Sequence, residues 1–184
     1  MKAQKIILVA LFGMFLLNSC KYECPCFDKS LLVWMPQEYG DKIQFTNQNN
    51  SDTLTFTVTK KEYTDSYKIQ RQNRESCDAY AELIASNDAL LYSISFDKPY
   101  QSDYILDGGI RLNYNVAGGF TFSFSDINKL TKKYIINNKS YNAITFEQDT
   151  TANNNEIYKI ILAEDYGLLQ FYEKSGEVWT LIEK

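Results

Sequence analysis

The chain contains no histidine, and this narrows the chemistry that its other side chains can perform. Imidazole is the commonest general base, the commonest metal ligand and the usual partner of a catalytic serine or cysteine. Among the acids, Asp103, Asp107 and Asp126 lie in or near the glycine-containing middle of the chain. Two carboxylates about 5 to 9 Å apart can hydrolyse a glycoside. No spacing singles out such a pair, and acids near turns are usually solvated turn formers, so we predict no catalytic residue and no enzyme activity.

The chain has four cysteines, Cys20, Cys24, Cys26 and Cys77. In an exported protein the last three are disulfide candidates. A bridge from Cys24 or Cys26 to Cys77 would close a loop of roughly 50 residues and contribute about 4 kcal/mol in the chain-entropy model. The alternative is three unpaired thiols. A Cys-Pro-Cys metal site lacks a fourth ligand and the chain has no D-x-D-x-D-G calcium loop, so we predict no metal and no cofactor.

Tyrosine side chains are the third group of candidate functional residues, and the chain has 14 of them. A tyrosine on a rigid β scaffold can stack on a sugar ring or contact a protein partner, because it combines apolar area with a hydroxyl. Cross-strand packing is the alternative role. We predict ligand contacts for the tyrosines that lie in or beside expected loops, Tyr100, Tyr104 and Tyr114 foremost, followed by Tyr63, Tyr67 and Tyr141.

The first twenty residues have the layout of an export signal. Lys2 and Lys5 precede an apolar run at residues 6–17, which is too short for a membrane-spanning helix. The following Leu17-Asn18-Ser19-Cys20 resembles a bacterial lipobox. The resemblance implies that residues 1–19 are a lipoprotein signal peptide and that Cys20 carries a diacylglycerol thioether with further acyl chains such as palmitate. Several chains on one residue anchor firmly, since each buried CH₂ contributes about 0.8 kcal/mol.

The mature chain is acidic. Cleavage before Cys20 leaves 165 residues, 17 bases and 23 acids, because only Lys2 and Lys5 leave with the signal. That length fits one domain with a sizeable core. An acidic chain without a basic run argues against nucleic acid as a partner and against electrostatic docking on anionic lipid. The membrane connection must therefore be the covalent lipid.

Residues 20–36 are predicted to be a tether, whose apolar run at residues 31–35 docks on the domain or forms its first strand. Residues 37–184 are predicted to be one all-β domain. Leu54, Phe56 and Val58 alternate with threonines after the turn-forming residues 47–52, which indicates a hairpin with residues 43–45.

Further strands are predicted at residues 90–96, 110–116, 120–124, 133–136, 143–147, 157–162, 168–172 and 178–182, and one helical turn at residues 125–130. Residues 79–85 fit a strand or a short helix, and residues 67–76 show no clear pattern. Short strands separated by polar turns are typical of antiparallel sandwiches and barrels. We therefore expect an antiparallel β-sandwich or a partly open barrel of short strands and hairpins.

The chain resembles, over about a third of its length, the small lipoproteins of unknown function of Bacteroides-type bacteria. The likeness lies in Leu17-Asn18-Ser19-Cys20, in the strand at residues 52–58, and in residues 166–171 and 179–181. It implies a compartment and a fold class but no activity. Asp52-Thr53-Leu54 and Asp149-Thr150-Thr151 are similar to the O-glycosylation sequon of that phylum, which makes Thr53 and Thr150 candidate modification sites.

Lys21 stands where an inner-membrane retention signal would place aspartate, so the resemblance implies the outer membrane, with the leaflet left open. The expected function is a lipid-anchored, non-enzymatic envelope module that binds a protein partner or a glycan. The alternatives are a structural component of the envelope or of a surface appendage, and a carboxylate-dependent hydrolase.

Overall fold

The computed structural model describes residues 27–49, 51–71, 74–98, 107–114, 120–125, 127–148 and 156–182. These residues form eleven antiparallel strands in one sheet, a 3₁₀ helix at Lys29–Trp34 and a four-residue α-helix, α1, at Ile127–Leu130. The strands are β1 (Lys42–Asn47), β2 (Thr53–Arg71), β3 (Arg74–Ser86), β4 (Leu90–Lys98), β5 (Asp107–Tyr114), β6 (Phe120–Ser125), β7 (Lys132–Ile136), β8 (Lys139–Glu147), β9 (Ile157–Ala163), β10 (Gly167–Glu173) and β11 (Val178–Leu181).

The strands form a meander in which the first strand pairs with the last. The spatial order is β6-β5-β4-β3-β2-β1-β11-β10-β9-β8-β7, so the two edge strands, β6 and β7, are consecutive along the chain. In a flat sheet ten strand spacings would separate these edges by about 48 Å. The seven residue steps from Ser125 to Lys132 reach at most about 25 Å. The sheet must therefore curl, and it forms a half-barrel.

The curl brings edge strand β6 against the inner face of β8. The Phe146 ring lies 4.8 Å from Phe122 and 5.4 Å from Phe124, measured between ring centroids. The Gln148 side-chain amide donates to the backbone oxygen of Thr121 at 2.7 Å. Among the described residues β6 meets β8 through these side chains, and no eleventh pair of strands joins β6 to β7.

The main hydrophobic core fills the concave face. Alternation in β1 turns Ile43 and Phe45 inward, and the Phe45 ring meets Phe56 and Phe171 edge-on at 5.6 and 5.5 Å. Edge-to-face pairs are the favoured aromatic arrangement. Trp179 of the last strand stacks on Phe171 at 6.1 Å. The first, second, tenth and eleventh strands thus share one aromatic cluster.

Residues 27–35 belong to this core. Asp28 caps the start of the 3₁₀ helix, and its carboxylate accepts the Ser30 amide at 3.0 Å. Trp34 and Met35 are 1% exposed, and Phe27 and Leu31 are buried with them. The apolar run therefore docks on the sheet as a helix and does not add a strand. Residues 20–26 of the predicted tether lie outside the described residues.

The structure confirms the all-β prediction and, of the two architectures left open, has the partly open barrel. The hairpin at residues 43–58 is β1–β2, the C-terminal meander is β9–β11, and residues 79–85 are strand. The sequence did not predict the strand pairing found within residues 67–76. Here β2 and β3 continue to pair as far as Arg71 and Arg74, well beyond the rows that β1 and β4 cover.

Candidate functional site

A groove of about 360 Å³ opens where the loop before β1 passes the turn between β9 and β10. Lys42 and Gln44 are exposed on the outer face of β1, opposite the buried Ile43, so the groove lies on the outside of the half-barrel. Its lining combines an aromatic ring, amides, aliphatic side chains and charges of both signs: Pro36, Gln37, Asp41, Lys42, Ile43, Gln44, Lys139, Asp165, Tyr166, Leu181 and Ile182.

The loop that forms one wall is held by backbone hydrogen bonds. Glu38 and Asp41 close a turn, in which the Glu38 amide donates to the Asp41 carboxylate at 2.8 Å and the Asp41 amide donates to the Glu38 carbonyl at 3.0 Å. Gly40 and Asp41 then pair with Val58 of β2 through two bonds of 2.9 Å. These bonds tie the wall to the sheet and fix its shape.

Gln37 joins this wall to the opposite one. Its amide nitrogen donates to the Tyr166 carbonyl at 2.6 Å. This bond fixes the amide orientation, because a flipped amide would place two oxygens face to face. The Gln37 Oε1 atom is buried and has no hydrogen-bond donor. It lies beside Gly167, where a Cβ atom would approach it to 2.9 Å.

The aromatic part of the groove is Tyr166, which packs edge-on against Tyr141 with ring centroids 5.2 Å apart. The Lys139 ammonium lies 4.8 Å from the Tyr166 ring centroid and 5.4 Å from that of Tyr141. Asn137 and Asn138, both with positive φ, form the tight hairpin turn that brings Lys139 to this position. A desolvated cation over an aromatic face is attracted by about 2 kcal/mol and an exposed one by less, so the two rings help to orient this exposed lysine.

Tyr166 continues into a wider aromatic surface on the outside of β7–β10. We call it the tyrosine face: Tyr134, Tyr141, Tyr158, Tyr166 and Tyr172. Beneath it, Ile161, Ala163 and Leu169 form a second small core. Because β9 and β10 are covered on one side by this core and on the other by the main core, most of their residues are buried.

Hydroxyl groups connect the tyrosine face across several strands. The Tyr172 hydroxyl donates to Gln170 Oε1 at 2.7 Å, so the 3.2 Å bond between the Tyr134 and Tyr172 hydroxyls has Tyr134 as its donor. The Gln170 amide donates onward to Thr180 at 2.8 Å. Burial, followed by the bond with Tyr134, raises the pKa of Tyr172. Tyr172 therefore stays neutral over the physiological pH range.

Tyr114, one of the predicted ligand-binding tyrosines, is not among the residues that line this groove. Tyr114 ends β5, and its hydroxyl donates to Glu173, which also accepts the Trp179 indole N–H at 3.0 Å. Burial, followed by the hydrogen bond to Glu173, raises the pKa of Tyr114. Tyr100 and Tyr104 lie outside the described residues. A ligand role for these three tyrosines stays a prediction, whereas Tyr141 does lie on the tyrosine face.

The other predicted sites are only partly within the described residues. Thr53 is exposed as the first residue of β2, and Asp107 begins β5. Cys77 lies in β3 opposite Lys68, but its side chain is not described. The disulfide and modification predictions therefore stay open, because their remaining residues lie outside the described ranges: Cys20, Cys24, Cys26 and Thr150. Asp103 and Asp126 lie outside them as well.

The sequence did not single out Gln37, Lys139, Tyr166 or Tyr172. Alternation along residues 132–147 and 167–173 could have placed Tyr134, Tyr141 and Tyr172 on one face once the pairing of the strands was assumed. Gln37 carries no such signal, because its partner is 129 positions away in the sequence.

The lining residues of the groove include no serine, threonine or cysteine that could act as a nucleophile. In the part of the chain that the structure describes, no three cysteine or acidic side chains lie close enough to hold a metal ion. The same residues include no helix long and apolar enough to cross a membrane. The side chains that line the groove offer stacking, hydrogen bonding and charge.

No protein-family model, no curated protein and no solved structure matches the chain.

Proposed function

We propose that this protein is a lipid-anchored, non-enzymatic module of the bacterial envelope that binds a glycan in the groove beside Tyr166. The observation that carries the proposal is the composition of that groove. One aromatic ring lies among amide and charged side chains, in a space of about 360 Å³ that falls within the usual range for small-ligand pockets.

A glycan suits this composition because a sugar ring has both an apolar face and a rim of hydroxyl groups. The apolar face can stack on an aromatic ring, as tyrosine combines apolar area with a polar tip. The hydroxyl groups can bond to Gln44, Asp41 and Asp165, which all line the groove. Lys42 and Lys139 offer donors to a carboxylate if the glycan is acidic.

The lipid on Cys20 would place this glycan-binding groove at a membrane surface in the cell. A module that is confined to a membrane meets partners on that surface at a high effective concentration, so that modest affinity is enough. Lys21 favours the outer membrane as the destination. A weak, exposed glycan site and a firm anchor fit together in such a module.

The test uses the full-length chain, produced in a bacterial host that processes lipoproteins and purified in detergent. Its melting temperature is measured against a panel of neutral and acidic oligosaccharides, because a ligand that binds only the folded state raises that temperature. We expect one class of sugar to raise it. Tyr166→Ala should then weaken binding about tenfold, or about 1.4 kcal/mol.

Two variants make the result specific to the groove. Tyr166→Phe keeps the ring and should retain most of the affinity. Tyr63→Ala removes a tyrosine that is 46% exposed and is not among the groove residues, so its affinity should equal that of the unaltered protein. If the panel gives no shift, or if Tyr63→Ala weakens binding as much as Tyr166→Ala does, the glycan proposal fails.

A protein partner is the second candidate, and the tyrosine face favours it. Tyrosine is enriched at the centres of protein interfaces, and here Tyr158 and Tyr172 lie side by side with ring centroids 6.2 Å apart. Cross-linking in intact envelopes would capture such a partner. Loss of the cross-link in Tyr158→Ala, with glycan binding unchanged, would assign the tyrosine face to the partner and the groove to the sugar.

The two remaining alternatives have less support. A hydrolase would use Asp41 and Asp165, the two acids of the groove, but Asp41 already accepts the Glu38 amide and so serves the turn. Product formation from any bound oligosaccharide, abolished by Asp165→Asn, would establish the enzyme. A purely structural envelope component would bind no sugar and would cross-link to its neighbours along the strand edges.

A further inference from the structure

The half-barrel has two ends that differ in their exposed side chains. The near end comprises the loop at residues 36–41, the turns at residues 137–138 and 164–166, and the part of β2 beyond Val58. The far end comprises the turns at residues 48–52, 87–89 and 174–176. These assignments follow from the antiparallel register, in which each strand reverses direction relative to its neighbours.

Exposed apolar side chains collect at the near end. Of the large apolar residues that the structure describes, the most exposed are Tyr39 at 76%, Ile135 at 70%, Tyr63 at 46%, Ile182 at 41% and Leu130 at 40%. Tyr39 and Tyr63 belong to the near end. Ile135 precedes the near-end turn at residues 137–138, and Ile182 follows β11 at the same end, whereas Leu130 lies in α1, which connects the sheet edges. None of them lies at the far end, whereas exposed acidic side chains occur at both ends, such as Asp52 and Asp88 at the far end and Asp41 and Asp165 at the near end.

The chain also enters the domain at the near end. Phe27 is buried, and its ring lies 6.4 Å from that of Tyr63. The Lys29 ammonium lies 5.6 Å from the centroid of the same tyrosine ring. Cys20 precedes Phe27 by seven residues, a distance of at most about 25 Å for a fully extended chain.

We infer that the near end rests on the lipid surface in which the anchor is inserted, with Tyr39 and Tyr63 at the level of the headgroups and the β2–β3 extension bent aside at the irregularity after Thr64. The inference rests on the lipidation of Cys20 in the proposed function and adds the orientation of the domain. Tyrosine favours the interface between water and hydrocarbon, because its ring is apolar and its hydroxyl is polar. The short connection keeps the near end close to the membrane.

The orientation has a consequence for the groove. Lys42 and Gln44 lie on the outer face of β1, so the groove opens toward the side of the half-barrel and not toward its end. A domain that stands on its near end therefore presents the groove close to the lipid surface and parallel to it. The ligand would approach along the membrane, which fits a sugar carried by another envelope component.

The experiment reconstitutes the full-length lipidated protein into vesicles of phosphatidylethanolamine and phosphatidylglycerol whose acyl chains carry bromine, a short-range quencher of tryptophan fluorescence. Tyr39→Trp places a reporter at the near end, and Ala89→Trp places one in the exposed far-end turn. Both sites are exposed, so both substitutions should leave stability nearly unchanged. Trp34 and Trp179 are buried, and the unaltered protein gives their background.

We expect the emission added by Tyr39→Trp to shift to shorter wavelength and to be quenched by the brominated lipid, while that added by Ala89→Trp stays unquenched. Flotation with the vesicles tests the anchor separately. Protein that floats but shows equal emission changes at the two sites, or none at Tyr39→Trp, refutes the orientation alone. Protein that does not float refutes the anchor of the proposed function, and the orientation with it.

Discussion

Gly167 provides the sharpest test of how the groove is built. Its φ of +71° lies in the left-handed region, and a Cβ atom there would approach Gln37 Oε1 to 2.9 Å. The backbone strain of a non-glycine residue costs roughly 1–2 kcal/mol. Displacing the Gln37 amide would also cost its hydrogen bond to the Tyr166 carbonyl, about 1 kcal/mol. Gly167→Ala should therefore lower the free energy of unfolding by about 2–3 kcal/mol.

Gly176 is the matched control. Its φ is +93°, and no heavy atom lies within 4 Å of the position that a Cβ would occupy. Gly176→Ala should thus show the backbone strain alone, roughly 1–2 kcal/mol. Both variants are compared with the unaltered protein by urea unfolding, where a changed midpoint at an unchanged slope reports stability.

The cause of the difference can be isolated with Gln37→Ala. If the side-chain clash is real, Gly167→Ala should cost less in the Gln37→Ala background than in the unaltered protein, because contacting residues give non-additive effects. Equal costs for Gly167→Ala and Gly176→Ala, or strict additivity with Gln37→Ala, would show that Gln37 does not hold the two walls of the groove together.

Three further predictions concern the core, pH and the anchor. Trp179 is 9% exposed and donates to Glu173, so Trp179→Ala should lower the free energy of unfolding by about 3–5 kcal/mol; a loss below about 1 kcal/mol would mean that the last strand is peripheral. Because the pKa of Tyr114 is raised in the folded state, its contribution to stability is complete below the ordinary tyrosine pKa of about 10 and is lost as the pH rises above that value. Urea midpoints should fall across this alkaline range, and less steeply for Tyr114→Phe; parallel curves would contradict the assignment. Cys20→Ala should move the protein from the membrane to the soluble fraction, and a variant that still sediments with membranes would argue against the lipid anchor.

The sequence predicted many local elements because each depends on neighbouring residues. Alternation of Leu54, Phe56 and Val58 with threonines gives one apolar face, and the turn residues at 47–52 reverse the chain. The Asn137-Asn138 turn is equally local, since asparagine tolerates the positive φ that a tight hairpin requires. In contrast, the paired extension of β2 and β3 through residues 67–76 has no apolar alternation and was not predicted.

What the sequence determined by itself is therefore the all-β class, the positions of most hairpins and the exclusion of histidine chemistry. The tertiary structure decided how the sheet closes, because alternation turns a strand toward the core but does not state which distant strand it pairs with. Because the chain buries one continuous apolar face, β1 pairs with β11 and the sheet curls until Phe122 packs on Phe146. The groove depends on this pairing and on this curl. Gln37 and Tyr166 become neighbours only when the first strand lies beside the last and the sheet curves around the main core.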